Sequence, residues 1–273
     1  MKNTSNKNVQ LLSFIVPAKD EEATLSTLID GIRGQAESLM LDWEVIFIDD
    51  GSIDGTWAEM TRIARKYPQQ VRSFRMRRNM GKADALSLGY AKAQGDIIFT
   101  MDADLQDDPN EIPRFIERIE QGYDIVSGWK QKRFDPWHKV LPSRCFNALI
   151  SKIAGVDLHD HNCGFKAYRR EVVKELPMYG EMHRMVPSLA AFEGYRTSEL
   201  VVQHHPRRFG KSKYGVKRIL CGLFDMTTVF FLKNYRNRPM HFFGRLAMLG
   251  AAATTLLWTL ALVALATLSL IHI

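Results

Sequence analysis

Cysteine is scarce in this chain. Cys145, Cys163 and Cys221 are odd in number and far apart, with no CxxC pair and no Cys/His spacing suited to zinc. This excludes a disulfide framework and a structural zinc site and fits a reducing compartment. Gly-rich phosphate loops are also missing: neither GxxxxGK[ST] nor GxGxxG occurs, which removes P-loop and dinucleotide-binding readings. The N-terminus, MKNTSNKNVQ, has no apolar signal-peptide core and leads straight into a strand-like run. No dense Lys/Arg block interleaved with aromatics is present, which argues against nucleic acid. The net charge of +7, from 37 basic and 30 acidic residues, is compatible with an anionic membrane or a phosphorylated substrate.

A last absence marks the C-terminus. From Leu246 to Ile273 there is no Lys, Arg, Asp or Glu. A run of that length crosses the ~30 Å bilayer core as one helix. Lys233, Arg236, Arg238 and Arg245 precede it, which places the preceding domain on the cytoplasmic side. The final LSLIHI reads back into CTG TCT CTT ATA CAC ATC, a transposase adaptor used in sequencing libraries, so the natural chain is expected to continue beyond this point. An intact gene ending at Ile273 would overturn that expectation.

What is present centres on Gly95 to Pro109. Ile97 to Met101 reads as a short strand covered on both faces, and it stops on Asp102 and Asp104, spaced i, i+2. In an open α/β sheet ligands bind at that edge. Two readings fit these residues. One is a pair of oxygen ligands for Mg²⁺ or Mn²⁺, with Gln106 adding a neutral oxygen, and the ion holding a substrate diphosphate. The other is a solvated acidic turn.

Around this stretch, strands and helices alternate. Leu11–Val16 and Trp43–Ile48 are apolar runs, and Val71–Met76 is a weaker one. Helical patterns follow each of them: from Leu25, from Trp57 to Tyr67, and from Asn79 to Ala91. A further helix from Pro109 to Gln121, a strand Tyr123–Gly128, a helix Ser143–Ala154 and a last strand Ser198–His205 complete the expectation. The order implies a mainly parallel, doubly wound sheet. Acidic residues at 20–22 suit a first helical turn or a nucleotide at the strand end. Asp49 and Asp50 end a buried strand and need donors, which a ribose or base edge would supply. Asp157 to Lys166 fits turn chemistry better than any common metal spacing. The basic Arg207–Lys213 run fits a diphosphate clamp or a membrane-surface patch, and Val216–Asn234 reads as an amphipathic helix lying on the membrane. The expected domains are 1–215, then a juxtamembrane helix 216–243, then a truncated transmembrane segment 244–273.

Taken together, these motifs resemble the family 2 glycosyltransferases of the GT-A fold, and within them the polyprenyl-phosphate branch that includes dolichol-phosphate mannosyltransferase. The carriers, from about Leu12 to the membrane span, are Val16–Glu22, Asp49–Ser52, Gly81–Ala83, Asp102–Pro109, Asn162–Lys166 and Arg207–Lys213. The resemblance implies a UDP- or GDP-sugar donor and an undecaprenyl or dolichyl phosphate acceptor. It implies a nucleoside pocket lined by Pro17, Lys19, Glu21, Ile48 and Asp50. Asp102, Ala103 and Asp104 then meet the diphosphate side, with Mg²⁺ or Mn²⁺ held by Asp102, Asp104 and Gln106. Lys130, Arg207 and Lys213 meet phosphates. Asp102 and Asp104 count as catalytic, and Asp160 is the candidate base if the acceptor is a hydroxyl. The implied location is the inner membrane of a cell envelope, with a homo-oligomer possible. Two departures matter: the family usually has Tyr-Asn at Lys19-Asp20, and Arg is common at Lys130, whose bidentate grip Lys cannot reproduce. The alternatives are a polysaccharide synthase, which usually carries a QxxRW motif absent here, a nucleotidyltransferase, whose Gly-rich N-terminal loop is also absent, and a catalytically inactive membrane scaffold with the same fold.

Overall fold

A computed structural model of the chain describes residues 9–131, 158–175, 185–205 and 238–271, with isolated residues between 147 and 156 and between 224 and 235. The expected helix Ser143–Ala154, apart from those isolated residues, and the expected amphipathic helix Val216–Asn234 fall largely outside the described residues. So does the whole Arg207–Lys213 run. The chain divides into two units, Met1–Val229 and Phe230–Ile273.

The first unit opens with β1 (Leu11–Ala18), α1 (Leu25–Ser38), β2 (Asp42–Asp49), α2 (Thr56–Lys66), β3 (Val71–Arg75), α3 (Lys82–Lys92) and β4 (Ile97–Thr100). Then come a 3-10 turn at Pro109–Glu111, α4 (Ile112–Glu120), β5 (Ile125–Trp129), β6 (Lys166–Arg169), α5 (Arg170–Glu175), α6 (Val186–Phe192) and β7 (Thr197–Val201). Among the described residues the strands form one sheet in the order β3-β2-β1-β4-β6-β5-β7. β1, β2, β3 and β4 pair in parallel, as do β5 and β7. β6 runs antiparallel to both of its neighbours. The mainly parallel, doubly wound expectation holds, and the GT-A-like architecture with it.

Three local expectations change. Lys166–Arg169, beginning on the last residue of the segment read as a turn, is an unexpected strand, because its pattern is too short and too polar at its start to show in sequence. The last strand covers Thr197–Val201 and not Ser198–His205; past it, His204 makes only an isolated bridge to Asp107. The third helix starts at Lys82 and not at Asn79. Gly81 has φ +99, a left-handed conformation that a helix cannot include and that glycine tolerates best.

Every residue of β4 is buried, as expected of a strand covered on both faces. Phe99 is the hub of an aromatic layer. It stacks on Phe14 of β1 at 5.0 Å and meets Phe115 of α4 edge-on at 6.0 Å. Phe165, just before β6, lies 4.5 Å from Phe115. Ring pairs of this kind add about 0.5–1.5 kcal/mol beyond area burial. The layer locks β1, β4, α4 and the start of β6 together, which fixes the strand ends beside the carboxylates.

In the second unit α7 (Pro239–Ile271) is a single long helix. From Pro239 to Thr267 it is long and apolar enough to cross a membrane, and the window that defines it is not buried. Thr254, Thr255 and Thr267 turn their hydroxyls back to the carbonyls of Gly250, Ala251 and Val263, so their polar groups are met within the helix, as an apolar environment demands. Phe231, Tyr235, Phe242 and Phe243 cluster at its N-terminal side, with Tyr235 and Phe242 at 5.2 Å.

Phe115→Ala is expected to destabilise the full chain by about 3–5 kcal/mol, read as a drop in the unfolding midpoint in detergent. A change below about 1 kcal/mol would show that the aromatic layer does not hold the sheet.

Candidate active site

β1 lies between β2 and β4, the point where the strand order reverses and where ligands enter open α/β sheets. The carboxyl ends of these strands carry the predicted residues.

After β4 the chain turns through Asp102–Asp108. Asp102 is part exposed and pairs with the Lys82 ammonium from the first turn of α3, itself part exposed. Asp104 is buried and accepts the Gln106 backbone N–H at 3.2 Å. Leu105 between them adopts φ 59, a conformation a branched residue avoids unless its surroundings impose it. With this reversal the Gln106 N–H folds back onto the Asp104 carboxylate. Gly164 closes the other side: a Cβ there would lie 2.6 Å from Asp102 Oδ2.

The next two carboxylates are structural. Asp107 is buried and ion-pairs with Lys130 at 2.8 Å. Burial works against the Lys130 charge, but the fields of Asp107, Cys163 and Asp102 outweigh it and raise its pKa. Lys130 is thus placed as the partner of Asp107, with its phosphate role still a proposal. Asp108 accepts from Asn110 N–H at 2.9 Å and lies 3.1 Å from His205 Nε2. Gln106 Nε2 donates to the His205 carbonyl at 3.4 Å. The chain entering the basic Arg207–Lys213 run is therefore tied to the carboxylate turn.

On the β1–β2 side, Asp49 and Asp50 have donors within the chain. Asp49 accepts Ser52 N–H at 2.8 Å and ion-pairs with Arg75 at 2.9 Å. Asp50 accepts Met80 N–H at 2.7 Å and Gly81 N–H at 3.1 Å. The donors expected from a ribose or base edge are thus supplied by Met80 and Gly81, just before α3. Pro17, Lys19 and Glu21 are half-buried along the β1 exit. Glu21 N–H donates to Thr56 Oγ1 at 2.8 Å, and Asp20 accepts Ile53 N–H at 2.9 Å. Ile48 is fully buried, and its Cδ1 lies 3.0 Å from where a Cβ on Gly89 of α3 would sit. Ala103 is buried between the two aspartates.

Asp160 is buried and accepts Asn162 N–H at 3.1 Å. The Glu199 carboxylate on β7 holds the turn, accepting the N–H groups of His159 and Asp160, each at 2.9 Å. His161 is enclosed between Ser151 and Ser188. Ser151 gives its hydroxyl hydrogen to the Leu158 carbonyl, so His161 Nε2 donates to Ser151 and Nδ1 accepts from Ser188. Burial, helped by the Lys166 charge, lowers its pKa to about 4.

The residues missed by sequence reasoning are the pairing partners: Lys82, Asp107, His205, Glu199 and the close-packed Gly164. Lys82, Asp107 and Gly164 lie inside motifs that carry the family resemblance, but their partners do not show there; His205 and Glu199 leave no signal. Arg207 and Lys213 lie outside the described residues.

Among the described residues no group of three or more His, Cys, Asp or Glu side chains converges as a metal cage. Asp102, Asp104 and the amide of Gln106 nevertheless fit Mg²⁺ or Mn²⁺. Such ions use one or two carboxylates and complete their shell with water and substrate phosphates. Asp102 already meets one cation, the Lys82 ammonium.

A mixed α/β sheet with paired carboxylates at its reversal point is an architecture of the GT-A-like kind. Residues 13–177 match the model of glycosyl transferase family 2, and the chain belongs to that family; it is a glycosyltransferase. It is 38% identical to a dodecaprenyl-phosphate galacturonate synthase of Rhizobium johnstonii, over 90% of this chain and 74% of that protein. It is 35% identical to an undecaprenyl-phosphate 4-deoxy-4-formamido-L-arabinose transferase of Aeromonas hydrophila, over 82% of this chain and 69% of the relative. Its fold resembles glucosyl-3-phosphoglycerate synthase from Mycobacterium tuberculosis, with a TM-score of 0.61 at 21% identity over 83% of this chain and 80% of that one. A further structure of that synthase contains Mn²⁺ and UDP-glucose and matches with a TM-score of 0.59 at 22% identity, over 83% of this chain and 79% of that one.

Two outcomes are expected. Asp107→Ala leaves Lys130 charged in a buried site and should cost about 3–5 kcal/mol, seen as a lower melting temperature. For His161 the folded pKa is depressed, so the unfolded chain binds more protons between about pH 6.5 and about pH 4. Stability should fall across that window as pH drops, by about 3 kcal/mol in total. His161→Gln should flatten this part of the stability curve.

Proposed function

We propose that this chain transfers a sugar from a UDP- or GDP-sugar to a polyprenyl phosphate at the cytoplasmic face of a cell inner membrane. The observation that carries the proposal is the Asp102-Ala103-Asp104 edge with Lys82 upon it, in a chain whose curated relatives are named as polyprenyl-phosphate sugar transferases. The membrane-length helix Pro239–Thr267 suits an enzyme whose acceptor stays in the bilayer.

Pro17, Lys19, Glu21 and Asp50 line the nucleoside side, with Ile48 as an enclosed wall behind them. Asp102, Ala103 and Asp104 face the diphosphate, and Asp102, Asp104 and Gln106 would hold Mg²⁺ or Mn²⁺. When bound, such an ion neutralises charge building on the departing nucleoside diphosphate. Lys82, on the diphosphate side, adds fixed positive charge. Lys130, Arg207 and Lys213 are assigned to phosphates of donor or acceptor. A lipid phosphate oxygen is already anionic near neutral pH and attacks the anomeric carbon without a strong base. Asp160, buried and held by Asn162, is the base only for a hydroxyl acceptor. In-line attack gives inversion, from an α-linked donor to a β-linked lipid sugar.

Detergent-solubilised protein given undecaprenyl phosphate, Mg²⁺ or Mn²⁺, and a panel of UDP- and GDP-sugars should yield a sugar-phosphate-lipid by mass spectrometry. EDTA should abolish the product, and Asp104→Ala should lower the rate about a hundredfold or more. Activity unchanged in both would remove the metal assignment. Binding of nucleotide with no transfer from any donor would favour the scaffold alternative.

A further inference from the structure

β6 begins with a lysine inside the sheet. Lys166 pairs in register with Thr100 of β4 and Ser127 of β5, and its side chain is buried. A lysine is almost never fully buried unless it is paired. Among the described residues no carboxylate forms an ion pair with it. Its ammonium instead donates to two backbone carbonyls, those of His161 at 3.2 Å and of Cys163.

Both carbonyls belong to the Asp160–Gly164 turn, which forms one wall of the site. Thr100, the last residue of β4, draws the same turn inward by donating its hydroxyl to the Gly164 carbonyl at 2.8 Å. Gly164 then packs on Asp102 so closely that a Cβ would stand 2.6 Å from Oδ2. The position of Asp102 thus depends on how firmly this turn is held, and Lys166 grips it from beneath at two points.

We infer that Lys166 is a positioning residue for sugar transfer, its buried ammonium fixing the Asp160–Gly164 turn as the wall against which Asp102 is set. The inference rests on the proposed transferase reading of this site. Lys166 touches neither substrate nor metal; it acts through the turn.

The charges facing the ammonium make the grip sensitive to pH. Burial disfavours its charge most, and Lys82 from α3 adds to that. The Cys163 thiol, Asp160 and Asp102 pull the other way, and the amine settles at about 8. His161, in the same turn, is neutral at this pH. Below about pH 8 the charged ammonium makes charge-assisted bonds, which are roughly twice as strong as neutral ones. Above it those bonds weaken, so transfer should decline. Stability should move the opposite way. The folded pKa lies below the usual lysine value of 10.5, so the unfolded chain binds more protons between about pH 8 and about pH 10.5, and folding gains as pH rises there. A purely structural lysine would not make activity fall while stability rises.

The test uses the full chain in detergent, comparing native protein, Lys166→Met and Lys166→Arg from about pH 6 to about pH 10. Native transfer should fall above about pH 8. Lys166→Met should lower kcat about tenfold or more, leave KM for the donor nearly unchanged, and lose the alkaline limb. Lys166→Arg should restore kcat and extend the plateau beyond about pH 9, because a guanidinium does not titrate there. Hydrogen exchange in peptides spanning 158–166 should be faster in Lys166→Met than in native protein at the same pH. An alkaline limb that persists in Lys166→Arg, or exchange unchanged in Lys166→Met, overturns the inference while leaving the transferase reading intact. Absence of transfer by the native chain with every donor defeats that reading instead, and the exchange comparison then decides alone whether Lys166 holds the turn.

Discussion

Charge compensation at the end of β4 is the constraint on which the rest of this structure depends. Asp102, Asp104, Asp107 and Asp108 follow a fully buried strand, where uncompensated carboxylates would be costly. Each has a partner from elsewhere in the chain or turn: Lys82 for Asp102, the Gln106 N–H for Asp104, Lys130 for Asp107 and His205 for Asp108. These partners come from α3, from the end of β5 and from the segment after β7. The sheet order exists, in functional terms, to bring those ends together.

The antiparallel β6 makes that possible. Inserted between β4 and β5, it lets the second half of the chain extend the sheet and return its strand ends to the same edge. It also carries the Asp160–Gly164 turn to Asp102. The Phe14–Phe99–Phe115–Phe165 layer lies beneath this arrangement and joins β1, β4, α4 and the start of β6. Aromatic packing therefore sets the spacing of the strands, and ion pairing sets the carboxylates on top of them.

The same division separates Asp102 from the enclosed carboxylates around it. Asp107 and Asp108 are committed to Lys130 and His205, whereas Asp102 remains part exposed beside a lysine that is itself part exposed. A ligand can reach the Asp102–Lys82 pair far more readily than the enclosed Asp107–Lys130 pair. Asp49 and Asp50 are likewise committed inside the chain. Asp49 is compensated by Arg75, and Asp50 holds the loop before α3 through the Met80 and Gly81 N–H groups.

Local pattern determined a good deal by itself: buried strands at Leu11–Val16, Trp43–Ile48 and Ile97–Met101, the alternation that makes a parallel sheet, the carboxylates at its edge and a helix long enough to span a bilayer. Those features follow from periodicity and from charge placed at the end of an apolar run, and both are written in neighbouring residues. Tertiary structure alone decided that Lys166–Arg169 is a strand, since a short run with a lysine at its head becomes one only when β4 and β5 flank it. It alone decided that Met80 and Gly81 satisfy Asp50, and which cation meets which aspartate. Those pairings join positions far apart in sequence through strand register and close packing, and no local pattern encodes them.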